Sequence, residues 1–103
     1  MFNRIVRGIG PRALAATVPT KKELFDALQA FDSRKQLEWT KVPLPGAKLG
    51  KRGYVLSRAS RQDVYGYSAF LQSDPDKVVF VRTGKHGGGL EYSQPVSWAN
   101  PPR

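Results

Sequence analysis

The chain of 103 residues has no cysteine, a single histidine and a single methionine. Without thiols it can form no disulfide, thiolate metal site, iron–sulfur cluster or cysteine nucleophile. The one histidine, His86, has no cysteine or carboxylate at ligand spacing, so it builds no metal site by itself. Long apolar runs are missing too. None approaches the roughly 20 residues that span a bilayer, so no transmembrane segment is expected. What the chain does hold is 40% hydrophobic and 11% aromatic residues, which argues against wholesale disorder. A compact chain of this length hides roughly 65% of its unfolded surface, enough for one modest core.

Acid is the other scarce commodity, and it is scarce in particular places. Seventeen bases against eight acids leave a formal charge of +9. Residues 1–22 carry Arg4, Arg7, Arg12, Lys21 and Lys22 and no acid. Residues 41–61 carry Lys41, Lys48, Lys51, Arg52, Arg58 and Arg61, again with no acid. Everything else is slightly acidic, so the excess charge sits wholly in two blocks. A charge kept only for solubility would be interspersed with acids; two acid-free blocks point to two roles.

The first block has the composition of an address. Phe2, Ile5, Val6 and Ile9 fall at i, i+3, i+4 and i+7, one stripe of a helix, and Gly10-Pro11 interrupts the pattern. An Arg-rich, acid-free, amphipathic start resembles a mitochondrial presequence, whereas the interspersed arginines disfavour a secretory signal. A basic arm docking on an acidic partner, or a short surface helix, are the alternatives, and the same composition allows the arm to contact a membrane surface. Residues 1–19 are taken as this arm.

Residues 20–39 are expected to be helical. Thr20 and Glu23 form a capping box, with Pro19 marking the boundary. Leu24, Leu28 and Phe31 make an i, i+4, i+7 stripe that Phe25 and Ala27 widen. Asp26 in the first turns and Arg34 and Lys35 in the last favour the helix dipole. The stripe needs a partner surface, supplied by the chain's own domain or by a neighbour. Residues 40–63 read as a basic extended loop, because Pro43, Pro45, Gly46, Gly50 and Gly53 deny it both a helix and a ladder. A short strand is expected within it at Tyr54–Arg58.

Residues 64–98 are expected to form a small antiparallel sheet. Val64–Gln72 and Lys77–Thr83 alternate or are β-branched, and Ser73-Asp74-Pro75-Asp76 supplies a turn with proline in its second position. Leu90–Trp98 returns as a third strand, which Pro95 confines to an edge. The tail, 99–103, has nothing to pair with. The fold class is therefore α+β: one amphipathic helix, a basic Pro/Gly loop and a small antiparallel sheet, with extended arms.

Catalytic inventory is thin. Thr83-Gly84-Lys85-His86-Gly87-Gly88-Gly89 has a lysine and glycines after a strand, but no hydroxyl residue follows the lysine and no helix follows the loop, so it reads as a turn. Asp74 and Asp76 flank a turn proline, where aspartate serves local hydrogen bonding. No serine sits in a nucleophile elbow. An enzyme is not expected. The 41–61 block, with Tyr54 interleaved, admits three readings: a tracker of phosphate backbone, a filler of an acidic protein groove, and a solvated loop.

At this block Leu44-Pro45-Gly46-Ala47-Lys48-Leu49, followed by Tyr54, Arg58 and Arg61, resembles the alpha-subcomplex subunit 7 family of mitochondrial NADH:ubiquinone oxidoreductase. The resemblance implies a non-catalytic accessory subunit on the matrix side of respiratory complex I, over the arm that carries electrons to quinone, with no cofactor of its own. Its partners would be other subunits of that complex. Lys48, Lys51, Arg52, Tyr54, Arg58 and Arg61 are then expected to make the partner contacts, while Leu24, Leu28 and Phe31 dock the helix. The rival expectation is a mitochondrial ribosomal protein that binds rRNA through the same loop.

Overall fold

The computed structural model describes residues 18–57, 64–84 and 89–102. The amphipathic stripe at Phe2–Ile9, Arg58 and Arg61, and the stretch Lys85-His86-Gly87-Gly88 lie outside these residues. Among the described residues one helix, α1 (Lys21–Ser33), precedes strands β1 (Gly53–Ser57), β2 (Val64–Leu71), β3 (Lys77–Gly84), β4 (Leu90–Tyr92) and β5 (Val96–Ser97). The sheet is antiparallel, in the order β1-β2-β3-β4, with β5 on the same edge of β3 as β4. The fold is thus α+β. No helix among the described residues is long and apolar enough to cross a membrane.

α1 begins where the capping box says it should. The Thr20 hydroxyl accepts from the Glu23 amide (3.1 Å) and the Glu23 carboxylate accepts from the Thr20 amide (2.9 Å). Its end comes earlier than the charge pattern implies. The helix stops at Ser33, Arg34 caps it, and Lys35 takes the left-handed conformation at φ 55°. The Lys35 amide bonds Asp32 O (3.0 Å) and the Gln36 amide bonds Phe31 O (2.9 Å), the paired closure that normally recruits glycine. Arg34 and Lys35 therefore lie past the helix rather than in its last turn. The reason is tertiary: the Gln94 side chain ties the departing chain to the sheet edge, donating to Gln36 O (2.7 Å) and accepting from the Glu38 amide (2.8 Å).

The hairpin expected at 64–83 is present, with its second strand running one residue further to Gly84. Asp74-Pro75-Asp76-Lys77 closes through Lys77 N–H to Asp74 O (2.9 Å), and the Asp74 carboxylate accepts from the Asp76 amide (3.0 Å). β2 and β3 then pair from Leu71↔Val78 to Val64↔Gly84. Strand alternation sends Tyr54, Leu56, Tyr67, Ala69, Leu71, Val78 and Phe80 to one face, where Leu24, Ala27, Leu28 and Phe31 of α1 meet them. Phe70, Val79 and Val81 turn to the other face and pack with Leu44, Ala47 and Tyr92.

The returning strand is split in two. Between β4 and β5 the Ser93 amide still bonds Phe80 O (2.8 Å), but the Phe80 amide goes to the Ser93 hydroxyl (2.8 Å) rather than to a carbonyl. That hydroxyl, wholly buried, donates in turn to Gln94 O. One side chain thus stands in for a ladder position that the chain bends away from before Pro95. Beyond β4, Thr40 adds a two-bond bridge to Tyr92 (2.9 and 2.8 Å), so the segment read as ladder-free does contribute one rung. The tail is tied as well, weakly, through Asn100 to Ser97 at 3.4 Å.

Two stability measurements check these points. Replacing Lys35 by glycine removes the cost of a left-handed Cβ residue and is expected to stabilise the fold by about 1 kcal/mol in urea denaturation. Ser93→Ala leaves the buried Phe80 amide without its acceptor and is expected to cost about 1–3 kcal/mol in the same assay.

Candidate functional site

The 43–52 segment is shaped by two anchors. The first is a tight turn at Leu44-Pro45-Gly46-Ala47, closed by Ala47 N–H to Leu44 O at 2.8 Å. Proline in the second position and glycine at φ 84° in the third make it a type II turn. The turn lays Leu44 and the buried Ala47 over Val79 and Val81, so this stretch of the basic loop covers the second face of the sheet. The second anchor is Gly50. A Cβ built there would sit 1.8 Å from the Leu71 carbonyl oxygen, so only glycine lets the backbone pass so close to the end of β2. Two residues later the Arg52 carbonyl accepts from the Leu71 amide (3.2 Å) and starts the β1–β2 ladder.

Between and just beyond these anchors the chain presents Lys48, Lys51 and Arg52, all exposed. Together with Leu49, Gln72 and Ser73 they line an open groove of about 490 Å³. Among the described residues no carboxylate pairs with any of the three cations. Asp74, the next residue after Ser73, directs its carboxylate to the Asp76 amide. The groove therefore offers uncompensated positive charge, chemistry suited to carboxylates or phosphates.

Other expected site residues are placed elsewhere. Tyr54 does not line this groove; strand alternation turns it to the helix side, where it packs on the main core. Leu24, Leu28 and Phe31 are only 0%, 2% and 8% exposed, spent on the chain's own sheet. The expectation that they dock onto a neighbour is corrected: the stripe found its partner within the domain, against Ala69, Val78, Phe80 and Val96.

A second polar cluster went unrecognised in the sequence. Arg82, on β3, faces the helix side, with its guanidinium 4.3 Å over the Trp39 ring and Nε bonded to Glu91 Oε1 at 2.7 Å. Trp39 also contacts Tyr67, ring centroids 6.4 Å apart. The cross-strand registers Tyr67↔Arg82 and Arg82↔Glu91 assemble the group, and no local motif announces a register. It closes on itself: cation, ring and carboxylate satisfy one another, so it braces the end of the sheet rather than receiving a ligand. Among the described residues no three His, Cys, Asp or Glu side chains gather where they could hold a metal ion. Compared with protein-family models, curated proteins and solved structures, the chain matches none.

Burial raises the ionisation point of the Tyr67 phenol above its ordinary 10; Asp32 adds to the shift and Arg82 partly opposes it. In the unfolded chain the phenol gives up its proton first, so the unfolded state binds fewer protons once the pH passes 10 and stability falls as pH rises further. Urea midpoints followed from about pH 9 to 11 are expected to decline, and Tyr67→Phe to flatten the decline.

Proposed function

We propose that this chain is a non-catalytic accessory subunit of mitochondrial respiratory complex I, on the matrix side, holding neighbouring subunits together through its basic loop. The observation that carries this reading is the groove: Lys48, Lys51 and Arg52 converge there and no described carboxylate pairs with them. Cations held exposed by two backbone anchors, at Ala47 and Gly50, favour attachment to an acidic surface. The likeness of the Leu44–Leu49 stretch to the accessory-subunit family, and the presequence-like arm of residues 1–19, support this choice of compartment and assembly.

The anchors also set the division of labour. Leu44 and Ala47 hold the loop on the sheet, while the lysines and arginine beside them face outward. Replacing the cations is therefore expected to leave the fold intact and change only what it holds.

The test separates native particles from detergent-solubilised mitochondria and follows this chain's peptides by mass spectrometry. It is expected to migrate with the respiratory complex, and a Lys48→Glu, Lys51→Glu, Arg52→Glu variant to dissociate from it while keeping its circular dichroism spectrum. Migration with a ribosomal particle, together with RNA binding that weakens with salt at a log–log slope of about −2 to −3 for three phosphate contacts, would overturn the reading.

A further inference from the structure

The sheet has two edges, and they are treated differently. The β4–β5 edge is occupied by Thr40, bridged to Tyr92, and by Gln94, which binds the 36–38 segment. The outer edge of β1 has no strand against it among the described residues. Which of its groups are free follows from the ladder. The Leu71 amide bonds the Arg52 carbonyl, so Arg52↔Leu71 is a bonded pair and Tyr54↔Ala69 is the next. Gly53 and Val55 lie between and beyond them, and their N–H and C=O groups point away from β2. Both residues are exposed, Val55 at 44%.

Exposed edges of this kind invite a further strand. Charge narrows the occupant. Lys51 and Arg52 lead directly into β1, and the sequence resumes after Ser57 with Arg58. A second copy pairing edge to edge would bring an acid-free 51–58 segment against its own like, cation beside cation. The chain's own first 19 residues carry three arginines and no acid, so they are equally mismatched. An acidic strand is attracted by the same charges that repel these two.

We infer that the outer edge of β1 takes an extended acidic segment of a partner protein as an added strand. Its backbone bonds Gly53 and Val55, and its carboxylates meet Lys51 and Arg52. The inference rests on the reading of the basic loop as a protein-docking element and specifies how the docking is done. Backbone pairing supplies register, and the cations at the start of the strand select for acid at the partner's facing end.

The test uses the full chain and two synthetic peptides of alternating valine and threonine, one flanked by glutamates and one by lysines. Amide exchange is followed residue by residue by NMR. The glutamate-flanked peptide is expected to slow exchange at Gly53 and Val55 about tenfold or more, and the lysine-flanked peptide to leave both unchanged. Val55→Pro is compatible with the sheet, since that amide bonds nothing within it, and is expected to weaken peptide binding about tenfold. N-methylation of the peptide's facing amides gives the same loss without touching the protein. Binding that leaves the Gly53 and Val55 amides unprotected, or survives N-methylation, overturns strand addition, as does an oligonucleotide that displaces the peptide without protecting either amide. In the native particle, loss of a Lys51→Gln, Arg52→Gln variant with full retention of Val55→Pro would overturn strand addition and leave cationic docking standing. Retention of both would overturn both.

Discussion

Burial of β3 on both of its faces is the constraint to which the rest of the molecule answers. Val78, Val79 and Phe80 are completely enclosed and Val81 nearly so, although they alternate between opposite sides of a sheet only a few strands wide. One helix can cover one side. Among the described residues the other side is closed by something that is not a helix: the Leu44-Pro45-Gly46-Ala47 turn lays Leu44 and Ala47 over Val79 and Val81. A run of consecutive apolar residues usually signals a strand sandwiched between layers; here the second layer is a turn and a few side chains.

That arrangement explains why the charged groove sits where it does. A loop recruited to cover a sheet is pinned at its apolar positions and must put its remaining residues somewhere. Ala47 and Gly50 are the pins, and Lys48, Lys51 and Arg52 are what remains. Proline and glycine here do structural service, setting a type II turn and a close pass over Leu71, while the chemistry is left to the three cations. The 44–52 stretch thus contains two kinds of residue with separate tasks.

Much of this is legible in the sequence, and the parts that are not share a cause. The capping box at Thr20 and Glu23, the Asp74-Pro75 turn and the hairpin it joins are local signals, each settled within a few residues. The acid-free block was equally plain. What escaped was decided by contacts between distant segments. Lys35 adopts a left-handed conformation because the chain must leave α1 for the edge that Gln94 holds. Ser93 replaces a ladder group because the strand has to bend before Pro95. Tyr54 looked like part of the cationic loop by position, yet the period of two in β1 turned it to the core. Leu24, Leu28 and Phe31 announced an apolar stripe without saying whose surface would cover it, and the answer lay in strands from about 20 to 70 residues further along the chain.

The bonds from Gln94 to Gln36 and Glu38 span 58 and 56 positions, and Val96 completes the core under α1. A polypeptide made from its amino end delivers these groups well after α1 itself. Until they arrive the helix has no finished seat and its exit is untethered, so closure waits on residues 94–96. A stretch of three residues, Gln94 to Val96, thus acts as the stitch that fastens both the seat of α1 and its exit.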